Sequence, residues 1–245
     1  MSESVAVTVP RSTDQPLELI ETQQVALTSA RRGQIWLAEF IGTFSLVLIG
    51  VGAITVGLSG LGVAVAFGSI VAVMIAAVGP ISAAHFNPAV TVGCIVLRRM
   101  GVKMAALYWS AQFLGAALAV LLLQCILGRS ALSAVSFGAT RLQPEFGLLP
   151  GLATEIILTF FLMFVIASIV IRTHALDGIY IGMTVGLCAL VGGPLTGASM
   201  NPARSFGPAL FGGIWSDHWI YWLGPLVGAA IGAATARYLW KDVHP

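Results

Sequence analysis

Eight apolar segments, six long and two half as long, constrain this chain more than any other feature. A helix that crosses a bilayer needs about 20 apolar residues, because each residue rises 1.5 Å and the hydrocarbon core is about 30 Å thick. Residues 34–56, 61–79, 102–127, 149–171, 177–193 and 218–240 approach or exceed that length. Residues 88–97 and 202–211 are equally apolar but too short to cross. Each short segment opens on Asn-Pro, at Asn87-Pro88 and Asn201-Pro202. Asn is a favoured N-cap and Pro a favoured first helical residue, so each predicts a short helix that starts within the apolar layer. The composition agrees: 58% of the 245 residues are hydrophobic and 9% are charged, where soluble domains carry about a quarter charged. The net charge of +2, with no basic tail, excludes a nucleic-acid partner.

The two halves repeat one another. Glu39 precedes Asn87 by 48 residues and Glu155 precedes Asn201 by 46. With Glu39 laid on Glu155, Thr43 falls on Thr159 and Phe44 on Phe160. Three spans per half is an odd number, so the second copy enters the membrane inverted relative to the first. The expected fold is an all-α membrane protein with six transmembrane helices and two re-entrant half-helices in an inverted repeat. Residues 34–245 form one domain, with repeats at about 34–127 and 149–240, after a polar tail at 1–33 that is mobile to about Ala30. Arg31, Arg32, Arg98, Arg99, Lys103, Arg172, Arg237 and Lys241 all fall on one side, and Arg129, Arg141 and Arg204 on the other. The positive-inside rule places both termini in the cytoplasm. The tail has no apolar signal core, and the short loops fit a bacterial plasma membrane.

Inversion brings the two half-helix N-termini together near the midplane. Each carries about half a positive charge, an arrangement suited to neutral polar molecules and hostile to cations. Glu39 and Glu155 lie inside spans, where a carboxylate costs several kcal/mol unless paired. A proton relay is one role; accepting free N–H groups of a re-entrant loop is the other, and the symmetry favours it. Small residues spaced by four, such as Gly68, Ala72 and Ala76 or Gly224, Gly228 and Gly232, allow close helix packing. Cys94, Cys125 and Cys188 sit in apolar segments and form no disulfide framework, and no ligand-spaced Cys or His cluster suggests a metal or cofactor.

Two Asn-Pro-Ala boxes, Asn87-Pro88-Ala89 within "HFNPAVT" and Asn201-Pro202-Ala203 within "MNPARS", each preceded by an intramembrane Glu, resemble those of the aquaporins of the major intrinsic protein family. The resemblance runs from about Gln34 to Trp240. It implies an hourglass pore in each subunit, a homotetramer, and no enzymatic activity. Water and small neutral solutes would pass, with membrane lipid as the other partner. Asn87 and Asn201 would turn their amides into the lumen, and Glu39, Glu155 and His85 would brace the loops, with pH sensing a second role for His85. The outer constriction would fall on Phe67, Ala189, Ala198 and Arg204, with Val90 in the place of Arg204 in the first copy. Ser205, Ala209 and the pair Tyr221-Trp222 match the water-channel type. Water-selective members carry His at the position of Ala189, found here by counting back twelve from Asn201 and by Pro194; a slip of one would put Cys188 there, within reach of mercurials. Two alanines in the ring make it wider and less polar than a strict water channel requires, so glycerol, urea, ammonia, hydrogen peroxide or metalloid acids are candidate solutes.

Three other readings compete. An ion-coupled transporter needs a charged site at the midplane, where Glu39 and Glu155 are the candidates. A rhomboid-like protease needs a nucleophile and a base, for which His85 and Ser199 align across the repeat, but no G-x-S-x-G turn surrounds Ser199. A scaffold that keeps the fold without conduction has no support in the loops.

Overall fold

No proline interrupts residues 17–56, and the stretch before Arg31 is rich in Leu, Glu, Gln and Ala, all good helix formers. The first helix, α1, accordingly runs Leu17–Thr55 and stops before Gly57, which takes φ +79. The computed structural model describes residues 17–172 and 176–241, with side chains over 31–169 and 176–241. Within the expected polar tail, residues 17–33 are helical and continuous with α1, because local helix propensity carries the helix beyond the apolar span. Residues 1–16 lie outside the described residues.

The remaining helices follow as α2 (Gly60–Ser82), α3 (Pro88–Val96), α4 (Val102–Leu127), α5 (Arg129–Ala134), α6 (Leu148–Arg172), α7 (Asp177–Thr196), α8 (Pro202–Gly212) and α9 (Ile220–Leu239). A 3-10 turn at Ser136–Gly138 follows α5, so the connection between the third and fourth spans is partly helical. Among the described residues, five helices are long and apolar enough to cross a membrane by length and composition. The sixth, α9, has 20 residues, but Tyr221, Trp222, Pro225 and three glycines lower its hydropathy below that of the others. Its glycines face the neighbouring helix α6 instead of lipid.

Packing follows the repeat. Helix α1 packs on α4 as α6 packs on α9, and α2 meets α7 at the seam between copies. Glycines set the closeness. A Cβ on Gly115 would lie 2.6 Å from the Phe40 carbonyl oxygen, and one on Gly228, its counterpart, would overlap the Ile156 carbonyl oxygen. At the seam, a Cβ on Gly68 would lie 2.5 Å from the Gly182 carbonyl oxygen. The half-helices cross over: α8 packs against α4 and α3 against α9, each on the last long helix of the other repeat. Arg31 donates to the carbonyls of Pro80 and Ile81, and Arg237 to that of Val96, so cations cap the ends of α2 and α3 on one face.

At the seam the obstacle to a larger residue is backbone, which cannot swing aside. Gly68→Ala is expected to lower stability by about 1–3 kcal/mol, the range for overpacking, read as a reduced thermal midpoint in detergent. Gly101→Ala, with no atom within 4 Å of the added methyl, should stay near the parent value.

Candidate functional site

The site begins with two loops that polypeptide avoids unless something holds it. Residues 82–87 and 196–201 break α2 and α7 and lead into the half-helices. Ala83, Ala84 and Phe86 take φ of 64, 52 and 50; Gly197, Ala198 and Met200 repeat the pattern at 80, 44 and 52. Left-handed backbone costs about 1–2 kcal/mol at each residue with a Cβ. Two carboxylates, both fully buried at 0% exposure, offset that cost. Glu39 Oε1 accepts from the His85 N–H at 2.9 Å and the Ser82 hydroxyl at 2.7 Å, and Oε2 from the Phe86 N–H and Gln112 Nε2, both at 2.8 Å. Glu155 Oε1 accepts from the Ser199 N–H at 2.9 Å and the Thr196 hydroxyl at 2.7 Å, and Oε2 from the Met200 N–H at 2.9 Å. Tyr108 donates to the Ser82 carbonyl and Tyr221 to that of Thr196, which ties α4 and α9 to the same loops. Sequence reading missed Ser82, Thr196 and Tyr108, and singled out Tyr221 without this role, although aligning the third helix of each repeat would pair Tyr108 with Tyr221.

Both Asn-Pro-Ala boxes start their helices as their residues require. Asn87 Oδ1 accepts from the Ala89 N–H at 2.8 Å, and Asn201 Oδ1 from those of Ala203 and Arg204 at 3.0 and 3.2 Å; Pro88 and Pro202 take the first helical turn. The amide nitrogens reach across the repeat. Asn87 Nδ2 donates to the Met200 carbonyl at 2.7 Å and Asn201 Nδ2 to the Phe86 carbonyl at 2.9 Å. Each amide nitrogen has two hydrogens, so one crosslinks the loops and one is left for the lumen. Beyond the expected turn of the amides into the lumen, each therefore also holds the opposing loop.

A cavity of about 740 Å³ passes between the half-helices. Its wall runs from Leu58 and Gly60 at one end to Arg99 and Met100 at the other, with Asn87 and Asn201 between. Phe67, Ala189, Ala198 and Arg204 all line it. Arg204 is 4% exposed, and its Nη1 donates to the Gly138 carbonyl at 2.9 Å. Its guanidinium stands 4.9 Å from the Phe67 ring centre, within cation–π range. The Phe67 ring in turn packs against α1 in space left by Gly50, which has no side chain there. Cys188 is buried, with its thiol directed at the Leu158 carbonyl 3.8 Å away, and it does not line the cavity. Cys94 does line it. Ala189 and not Cys188 therefore faces the lumen, so the condition that would make Cys188 a mercurial target is not met; a step of one residue on a helix turns the side chain by about 100°.

His85 and Ser199 occupy equivalent positions and make equivalent bonds. His85 Nδ1 lies 3.0 Å from the Thr91 hydroxyl, and the Ser199 hydroxyl 2.6 Å from that of Ser205, which also accepts from Thr140 at 2.8 Å. Each is bonded to its own half-helix, so the two do not form a nucleophile–base pair.

Comparison with known proteins accords with this architecture. A family model described as major intrinsic protein matches residues 26–235. Aquaporin TIP4-4 of Zea mays is 44% identical over 213 residues, covering 80% of this chain and 82% of that one. Aquaporin NIP1-1 of Oryza sativa subsp. japonica is 42% identical over 206 residues, covering 80% and 71%. Among solved structures, the aquaglyceroporin from Plasmodium falciparum aligns with a TM-score of 0.70 at 25% identity, covering 86% of this chain and 96% of that one. The chain belongs to the major intrinsic protein family and is a multi-pass membrane channel, not an enzyme.

Proposed function

We propose that this channel conducts water passively, admits other small uncharged solutes, and refuses ions and protons. One observation carries the reading: a continuous cavity passes between two facing half-helix N-termini, and no carboxylate lines its wall among the described residues. The facing helix ends and Arg204 make the path electropositive, which repels cations while leaving donors for a neutral oxygen. In this reading Asn87 and Asn201 each offer their remaining amide hydrogen to the passing molecule, and Pro88, Ala89, Pro202 and Ala203 hold the half-helix starts. Glu39, Glu155 and His85 brace the loops. Phe67, Ala189, Ala198 and Arg204 form the selectivity ring. A coupled transporter is disfavoured because both carboxylates are sealed from the cavity and hydrogen-bonded to their loops, Glu39 by four donors and Glu155 by three. The full pore lies within one chain, and we infer a homotetramer of such pores in the cell's plasma membrane. Arg31, Arg99 and Arg237 on the face that holds the α3 end support cytoplasmic termini.

A second reading makes water secondary to glycerol, urea, ammonia or metalloid acids. Two methyl groups, those of Ala189 and Ala198, favour it, since they leave one side of the ring apolar and open. Swelling of proteoliposomes under water, glycerol and ammonia gradients separates the two readings. Permeability no greater than that of bare lipid would overturn both.

Ala189→His should reduce glycerol or urea flux at least several-fold more than water flux, read by stopped-flow light scattering. Equal losses in folded protein would place the constriction elsewhere. Glu155→Gln puts an amide NH2 against backbone N–H donors and should cost about 1–3 kcal/mol for each group left unpaired. A lowered thermal midpoint, with permeability indifferent to a proton gradient, is the expected outcome. Gradient-dependent flux in the unaltered protein would restore the relay role.

A further inference from the structure

His85 and Cys94 lie nine positions apart in the sequence, a spacing that suggested no metal site, yet the re-entrant loop and α3 bring them together on the cavity wall. Cys94 Sγ stands 3.3 Å from His85 Nε2. The network behind the ring decides which nitrogen faces the thiol. The Thr91 hydroxyl has one hydrogen, which it gives to the Asn87 carbonyl at 3.1 Å, and it accepts from Gln112 Nε2 at 3.2 Å. Toward His85 Nδ1 it is therefore an acceptor as well, so Nδ1 carries the ring hydrogen and Nε2 presents its lone pair to Cys94. An imidazole oriented through its other nitrogen, beside a thiol, is the donor arrangement of a borderline or soft metal ion.

We propose that Cys94 and His85 form a two-ligand site for a thiophilic divalent cation on the α3 side of the Asn87–Asn201 pair, where a bound ion blocks the pore. The distances suit zinc. Bonds of about 2.3 Å to sulfur and about 2.05 Å to nitrogen, at a tetrahedral angle, put the donor atoms about 3.5 Å apart, which the pair reaches by opening a few tenths of an ångström. No group of three His, Cys, Asp or Glu residues suited to a metal occurs among the described residues, so water from the lumen completes the coordination. The thiol gives up its proton to solvent as the metal–sulfur bond forms. Cys94 lies in the last turn of α3, whose negative helix end favours a cation, while Arg99 farther along the wall opposes its entry. An ion arriving from that mouth reaches the pair without passing between the asparagines, so the site is compatible with a pore that conducts no cations.

Zinc alone is the probe, with magnesium as the hard-ion control, on the full-length protein. Binding is measured in detergent by competition with a chromophoric chelator, a readout independent of what the pore conducts. The double variant Cys125→Ala, Cys188→Ala leaves Cys94 untouched as the sole cysteine. It should bind one zinc per chain as the parent does, and its proteoliposomes should shrink several-fold more slowly in zinc, with recovery on adding chelator. Cys94→Ala should weaken binding by about tenfold or more and remove the slowing. Failure of the double variant to bind zinc, equal binding of magnesium, or undiminished binding or slowing in Cys94→Ala would overturn the site. Binding without slowing would overturn the block.

Discussion

The fold depends on a hydrogen-bond acceptor placed where lipid provides none. At the middle of the membrane two stretches of chain leave the helix, and their N–H groups have no water to turn to. Glu39 and Glu155 supply carboxylate oxygens to two such N–H groups each, and hydrogen bonds to a charged acceptor are the stronger kind. The left-handed residues persist because these bonds, with the Ser82 and Thr196 hydroxyls, over-determine the loop. Everything the pore presents is downstream: the half-helix starts follow from the loops, the asparagine pair from the half-helix starts, and the Ala198 methyl from a residue that itself takes φ 44.

Symmetry sets the frame, and its breaking differentiates the two sides of the pore. Laying Gly115 on Gly228 places Gln112 opposite Pro225. Glu39 therefore receives a fourth donor from α4, and the corresponding donor from α9 is missing at Glu155. In that copy the half-helix carries Arg204 where the first has Val90, and a guanidinium stands near the carboxylate. The first half-helix has apolar Val90 at that place, and its loop carboxylate is closed by an amide; the second holds a cation at the lumen, anchored by the Gly138 carbonyl and flanked by Phe67.

Much of this was legible in the sequence because the signals were doubled. Two Asn-Pro starts at half-length segments, each with a Glu 46 or 48 residues upstream in the first span of its repeat, identify re-entrant helices and their braces together. Other features carried no side-chain signature. The anchor of Arg204 is a backbone carbonyl in a 3-10 turn, which any residue could supply. Ala189 and Cys188 differ by one step; counting back from the motif pointed to Ala189, and the rotation of α7 puts that residue on the cavity wall and leaves Cys188 off it. Helix α9 was found by apolar length although its hydropathy is the weaker signal, because it gives residues to glycine contacts with α6. The extension of α1 back to Leu17 was hidden by polarity, since a charged helix beyond the bilayer looks like a tail when only apolar length is scored.

The exchange of half-helices between repeats has a consequence for how the chain is made. Helix α3 finds its main support on α9, which is synthesised well over a hundred residues later. Until then the first repeat can insert its three long helices, but its short one has no complete seat. Assembly of the lumen is thus a late, long-range event, with the closing contacts among the last to become available. A nascent chain released before α9 would hold three or more spans firmly in the membrane and still have no pore, which gives a quality-control system a simple structural criterion: an unseated half-helix.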